Sequence, residues 1–438
     1  VAVSVNTAVA NGLNTRLSPL AMGSVYGNAG LAADPGVPSL ALDFSQPLPS
    51  SVTFTRADAT TCATYFDAQG VLRTAAANIP RIDYDPATLV CKGLLIEESR
   101  ANLCLQSGWA GGTSGTEGSG AVAPTSWIFP ANTGQVTYAA LADSGNSIRF
   151  VATAQRPMVG QTIAITSGNT YTVSCYVVQN TGASPLTAFI EIAAGTSTVG
   201  AASYTVNGVT ALGSAVPVAG DRITIFKACT VSGNCEVRLG LGVVGAATGD
   251  ITLKWPQLEL GSFPTSYIPT TTASVTRASD VCSMTGTNFS SWFNASEGTF
   301  VVVAVQGPND GTNTRRMIDV NDGSASNRFT VCRATTGLIQ IISTVAGGSD
   351  FAPTAVGAPA LGTTIKAATA FASSYKAISL NGAAIVSSAV SPPLAGLTQI
   401  SIGNSFNAAA TTCHNSHIRS LRYYPKRLSD ATLRALTL

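Results

Sequence analysis

Between residues 125 and 262 the chain is cut into seven short runs of mostly alternating side chains: NSIRFVA, QTIAIT, YTVSCYVV, TAFIEIA, DRITIFKACTV, CEVRLGLGVV and DITLKWPQLEL. Gly, Asn, Ser or Pro separates each from the next. Successive side chains of a strand point to opposite faces, so an alternating run buries one face and needs a second sheet to cover it. Such strands at near-regular spacing predict an antiparallel sandwich or jelly roll over residues 108–262. Residues 296–438 repeat the pattern in GTFVVVAVQ, RRMIDV, NRFTVCRA, LIQIISTVA, TIKAATAFA, YKAISLNG, TQISIGN and SHIRSLRYYPKRL. Asn381-Gly382 supplies a hairpin turn. Only the end reads as helix, with Ser429 as its cap and Leu433 and Leu436 on one face. The expectation is an all-β chain of tandem antiparallel sandwich or jelly-roll domains.

Charge excludes several functions. Lys and Arg total 24 against 22 Asp and Glu, which leaves no electrostatic footprint for nucleic acid or an anionic membrane. Mean hydropathy is +0.28, yet no apolar run reaches the roughly 18 residues of a spanning helix. The chain opens at Val1 without a basic segment ahead of an apolar one, so no secretory signal is expected there.

The remaining segments read as connectors. Residues 1–40, rich in Ala, Asn, Gly and Pro, are expected to form an irregular arm that docks on a partner. Residues 41–107 read as a small β-rich connecting block, with turns at Ala68-Gln69-Gly70 and Asp85-Pro86 and a buried run at Gly93–Ile96. A Gly/Ser/Thr-rich stretch opens the jelly roll at 108, and residues 263–295 read as a linker to the sandwich at 296–438. In DITLKWPQLEL, Ile251, Leu253 and Trp255 share one parity, which places Trp255 in the core.

Three stretches resemble tailed-bacteriophage virion proteins. FTRADATTCATYFDAQGVLRTAAANIPRIDYDPATLVCKGLLIEESRANL, residues 54–103, is similar to a block of phage fibre and head-spike proteins. WPQLELGSFPTSYIPTTTASVTRASDV, residues 255–281, looks like the ending of a carbohydrate-binding-module-like jelly roll in such proteins. HIRSLRYYPKRLSDATLRAL, residues 417–436, is similar to the close of concanavalin-A/laminin-G-like domains. The resemblance implies a virion structural protein (tail fibre, head spike or decoration subunit), assembled in the host cytoplasm and then extracellular. It also implies a homotrimer, anchored to other virion proteins by the N-terminal arm, with its sandwich domains facing outward.

Sugar binding needs an aromatic platform and a few fixed polar partners, because sugars present C–H faces ringed by hydroxyls. Trp127 and Asn132, in the polar loop APTSWIFPANTG, are one candidate pair; Asn404, Phe406, Asn407 and His414, in GNSFNAAATTCHN, are a second candidate site. Asp319-Val320-Asn321-Asp322-Gly323 resembles the start of a calcium loop but lacks the later Glu, so a turn is the simpler reading and no cofactor is expected, with calcium, which concanavalin-like folds often hold, as the alternative. His414-x-x-His417 has the wrong offset for a zinc protease helix, and His417 reads as structural. Cys229 and Cys235 flank Ser232-Gly233-Asn234 and would face each other across a hairpin, at the spacing of a disulfide. Adjacent Glu97 and Glu98 point to opposite faces of a strand and so cannot flank one sugar as a glycosidase pair. Glu191, Glu236 and Glu259 lie in separate strands. The chain therefore reads as non-catalytic, presenting lectin-like domains for weak multivalent binding of host surface glycans. A purely architectural capsid or tail protein is the alternative, ahead of a polysaccharide depolymerase.

Overall fold

Every one of those fifteen runs carries a strand, and strand far outweighs helix among the described residues, so the chain is all-β. The computed structural model describes residues 35–113, 120–129, 136–139, 147–152, 158–181, 188–194, 203–207, 209–210, 217–230, 232–241, 249–351, 357–388 and 393–438. Most of the expected docking arm, residues 1–34, lies outside them.

The jelly roll packs a seven-stranded sheet, centred on Thr170–Thr181, against a three-stranded sheet of Met158–Ile165, Gly233–Leu241 and Ala188–Ala194. Tyr171, Val173, Cys175 and Val177 point inward from the central strand and meet Ile223, Ile225, Val237, Leu239, Ile251 and Leu253. Alternation along these strands is what fills that core.

The C-terminal sandwich is not confined to residues 296–438. Its eight-stranded sheet includes Leu40–Asp43 and Cys91–Ile96, both paired with Ser416–Tyr424, and Ile82–Tyr84 beyond them. Its seven-stranded sheet includes Thr53–Thr55 and Val281–Thr285. Residues 41–107 and 263–295 are therefore parts of the sandwich and of its junction rather than a separate block and a linker. Leu42, Phe44, Leu94 and Ile96 fill the same core as Phe300, Met317, Phe329 and Ile400. The jelly roll is inserted into this sandwich on a two-stranded stem, Arg100–Asn102 paired with Val275–Arg277.

A buried ionic lattice locks the stem. Arg81 bridges Glu97 (2.8 Å) and Asp280, Arg277 bridges Glu97 (2.8 Å), and Arg56 bridges Asp58 and Asp280 (3.2 Å). Three guanidiniums face three carboxylates, so the charges cancel away from water. From the exit of the jelly roll, Ser266 donates from its N–H and its hydroxyl to Glu97 (2.7 Å each). Burial alone would raise the Glu97 carboxyl; Arg277 and Arg81 outweigh it and hold it at about 2.

The short C-terminal helix Asp430–Ala435 is capped by Ser429, whose hydroxyl accepts from the Thr432 N–H (3.2 Å), and it buries Leu433. The hairpin turn stands at Asn381 and Gly382, both with positive φ (47° and 76°).

Candidate functional site

Strand Gly249–Leu260 breaks its alternation midway. Ser174 faces Gln257 and Tyr176 faces Lys254, so Trp255 and Pro256 together oppose Cys175 alone: a β-bulge. Trp255 sits at φ 55°, a costly backbone for a bulky residue. Proline has no N–H for the ladder, which explains why the irregularity falls here. Inward parity passes from Ile251 and Leu253 to Leu258, and Trp255 turns to the outer face. It is buried, but beneath a hairpin on that outer face and not in the core.

There Trp255 meets Tyr176 edge-on (5.4 Å between ring centroids), Phe66 (6.3 Å) and Tyr267 (5.6 Å, stacked). Phe66 comes from the hairpin Ala63–Phe66 and Leu72–Ala75, whose turn places Gly70 at φ 73°. The Asp83 carboxylate accepts from the Phe66 N–H (2.7 Å) and contacts His417 Nε2 (2.8 Å) and Lys92 Nζ (3.0 Å). Burial would raise the Asp83 carboxyl, but the His417 hydrogen bond and the Lys92 charge pull it well below the usual carboxylate range. His417 is thus structural: it fixes the hairpin that carries Phe66. These groups enclose a cleft of about 240 Å³ between hairpin and sheet, lined by Phe66, Val71, Leu72, Tyr176, Lys254 and Trp255. Lys254 Nζ lies 3.9 Å from the Trp255 ring centroid, and the Arg222 guanidinium 5.2 Å from that of Tyr176. Aromatic walls with a few polar tips are the chemistry of a small-ligand cleft.

A second cleft, about 400 Å³, lies between jelly roll and sandwich, and Glu98, Arg100, Phe263, Asp310 and Arg315 help to line it. Glu98 bridges Arg100 (2.6 Å) and Arg315 (2.8 Å), and Arg315 also bridges Asp310. Glu97 and Glu98 thus serve two different sets of arginines.

The residues proposed from sequence fall elsewhere. Trp127 is buried in the jelly-roll core, its ring tilted against that of Trp109 (4.6 Å between centroids), and its Nε1 donates to the Leu105 carbonyl (2.9 Å); it offers no exposed platform. Asn132 lies outside the described residues. Asn404 and His414 are buried at the base of their loop, whereas Phe406 is half-buried and Asn407 exposed. Asn404 accepts from the Thr412 hydroxyl (2.7 Å) and Asn407 from the Ser405 hydroxyl (2.5 Å), so these amides close the loop on itself. The same loop does reach the second cleft, through Ala410 and Thr411.

Cys229 and Cys235 are both free thiols. The strands that carry or precede them, Arg222–Ala228 and Gly233–Leu241, belong to opposite sheets, so the facing hairpin pair expected from their spacing does not exist. Burial pushes the Cys235 thiol up to about 11. In the calcium-like segment, Asp319 accepts from the Thr330 hydroxyl (2.6 Å) and Asp322 from Ser324 and Asn327; these contacts make a turn. No three metal-ligating side chains converge among the described residues.

No family model matches the chain, and no curated protein does. Among solved structures it is similar to the CBM40 of the Ruminococcus gnavus IT-sialidase bound to alpha2,3 sialyllactose, with 16% identity over 34% of this chain and 86% of that one and a TM-score of 0.29. It is also similar to a NanB sialidase mutant from Streptococcus pneumoniae (14% identity, 35% of this chain, 26% of that one, TM-score 0.29). A third is the Trypanosoma rangeli sialidase in complex with the inhibitor DANA (14% identity, 36% of this chain, 26% of that one, TM-score 0.26).

Proposed function

We propose that this chain is a non-catalytic, carbohydrate-binding structural protein of a bacteriophage appendage, and that the cleft between Phe66, Tyr176 and Trp255 receives the sugar. The observation that carries the sugar site is the bulge that turns Trp255 outward beside Tyr176. A strained residue that exposes nothing to the core but walls a cleft is a functional arrangement rather than a packing one. The rings offer faces and edges for sugar C–H groups, and Lys254 and the Tyr176 hydroxyl offer polar partners at the rim. The phage assignment rests on the motif resemblance. On this reading the N-terminal residues join the chain to other virion proteins as a homotrimer, and many copies raise a weak site, about millimolar, by roughly 100–10,000-fold.

A glycan array probed with the full chain in multivalent display tests this. Tyr176 is half-buried on the sheet's outer face, so Tyr176→Ala should fold normally and lose the array signal by about tenfold or more, the scale of one aromatic contact. Silence of the native chain on every glycan would leave only the architectural reading, and an unchanged signal in Tyr176→Ala would take the sugar out of this cleft.

A further inference from the structure

The cleft between jelly roll and sandwich differs in chemistry from the aromatic one. Its floor is already neutralised: Arg100 and Arg315 share Glu98, and Arg315 also holds Asp310. Burial opposes ionisation of Asp310, but Asn313 and Arg315 pull its carboxyl well below the usual range, so the floor stays fully charged and balanced. The Phe263 ring is engaged by the guanidiniums of Arg100 (4.7 Å) and Arg315 (5.5 Å). The walls, in contrast, are amides and hydroxyls: Asn169 and Ser262 from the jelly roll, Thr312, Asn313 and Thr411 from the sandwich. Among the described residues, the side chains of Asn169, Ser262 and Thr411 make no hydrogen bond. On the floor, Arg100 is 8% exposed and its Nη1 has no acceptor. Leu260, half exposed, adds an apolar patch at the rim.

We propose that this cleft is a second binding site, for a neutral polyhydroxylated ligand such as the end of an uncharged oligosaccharide, held by both domains at once. A ligand rich in hydroxyls both donates and accepts, which matches walls of amides and hydroxyls. A charged ligand would meet a floor with no net charge to offer. The site shares no residue with the aromatic cleft, so either can fail without the other.

The test uses the full chain and three photo-cross-linking probes: diazirine-bearing maltotriose and chitotriose as neutral ligands, and diazirine-bearing trigalacturonate as the anionic one. In the Tyr176→Ala background, the neutral probes should label peptides containing residues 168–170, 260–263 and 310–313. Ser262→Trp, which fills the cleft from a half-buried bend, should reduce that labelling at least tenfold, and Asn169→Ala by about fivefold. Neither should alter labelling near residues 66–72 in the otherwise native chain. Absence of labelling at the junction by both neutral probes overturns the proposal, as does labelling that survives both variants. Stronger labelling by trigalacturonate overturns the neutral assignment. Melting curves of Ser262→Trp and Asn169→Ala exclude misfolding as the cause of lost labelling, and the Asn169→Ala result stands if Ser262→Trp melts early.

Discussion

A fragment beginning at residue 108 will not fold its C-terminal sandwich. It lacks Leu40–Asp43, Thr53–Thr55, Ile82–Tyr84 and Cys91–Ile96, which belong to the two sheets of that sandwich. Leu40, Leu42, Phe44, Val52, Leu94 and Ile96 are all buried in its core. At about 1.5–3 kcal/mol for each buried side chain, their loss is on the order of 10 kcal/mol, as much as a typical domain has in total. Strand Ser416–Tyr424 would also lose both partners along the edge opposite Gly298–Val305, exposing backbone that pairs with other chains. The fragment should express as aggregate or with the jelly roll alone protected from protease, whereas a chain starting at residue 35 should be soluble and resistant throughout. A fragment 108–438 with full near-ultraviolet dichroism and a cooperative melt of both domains would contradict the insertion topology.

Asp280→Ala is expected to be the most damaging single substitution at the junction. It removes a carboxylate shared by Arg56 and Arg81, neither of which reaches water. Breaking one side of a buried ion pair costs about 3–5 kcal/mol, because the remaining charges are stranded. Arg73→Ala, which breaks the solvent-exposed bridge to Asp67, should leave the unfolding midpoint almost unmoved. Denaturant unfolding of the two variants beside the native chain makes the comparison, and equal midpoints would contradict a structural role for the lattice. Acid should weaken the native chain in two overlapping windows. Burial, aided by Arg333, holds the His414 imidazole down at about 3 against an ordinary 6.5, so below that value the unfolded chain takes up a proton that the folded one refuses. Glu97, held at about 2 against an ordinary 4.5, contributes stability above 4.5 that disappears as pH falls toward 2. Each group gives a slope of up to about 1.4 kcal/mol per pH unit within its window.

The strands were legible because their signal is local. Alternation and turn residues identify Thr170–Thr181 or Gly298–Val305 without knowledge of their partners. Which strand pairs with which is not local. Leu94 to Ile96 reads as a buried strand, but nothing near it says that its partner is Ser416–Tyr424, more than 300 residues later. Domain boundaries drawn from turns and linkers therefore failed where the sandwich closes around its insertion.

The sites failed for a related reason. Trp127 sits in a loop of polar composition, yet one indole N–H bonded to a carbonyl and one neighbouring Trp109 suffice to bury it. Trp255 has the reverse history: parity placed it in the core, and the bulge at Trp255-Pro256 reversed the face. That proline was the available signal, since a ladder cannot pass through it undisturbed. Phe66 and Tyr176 carried no comparable mark, because the cleft forms only when the hairpin from one domain covers the sheet of the other. The motif residues Arg56, Arg81, Glu97, Arg277 and Asp280 proved to be the lattice that holds this arrangement.

The most direct measurement is a crystal structure of the full chain soaked with the oligosaccharide that gives the strongest array signal. A sugar ring should lie within about 4 Å of the Tyr176 and Trp255 side chains, its C–H face on a ring and a polar group toward Lys254. Sugar density confined to other surfaces, with the cleft between Phe66, Tyr176 and Trp255 holding only solvent, would contradict the account.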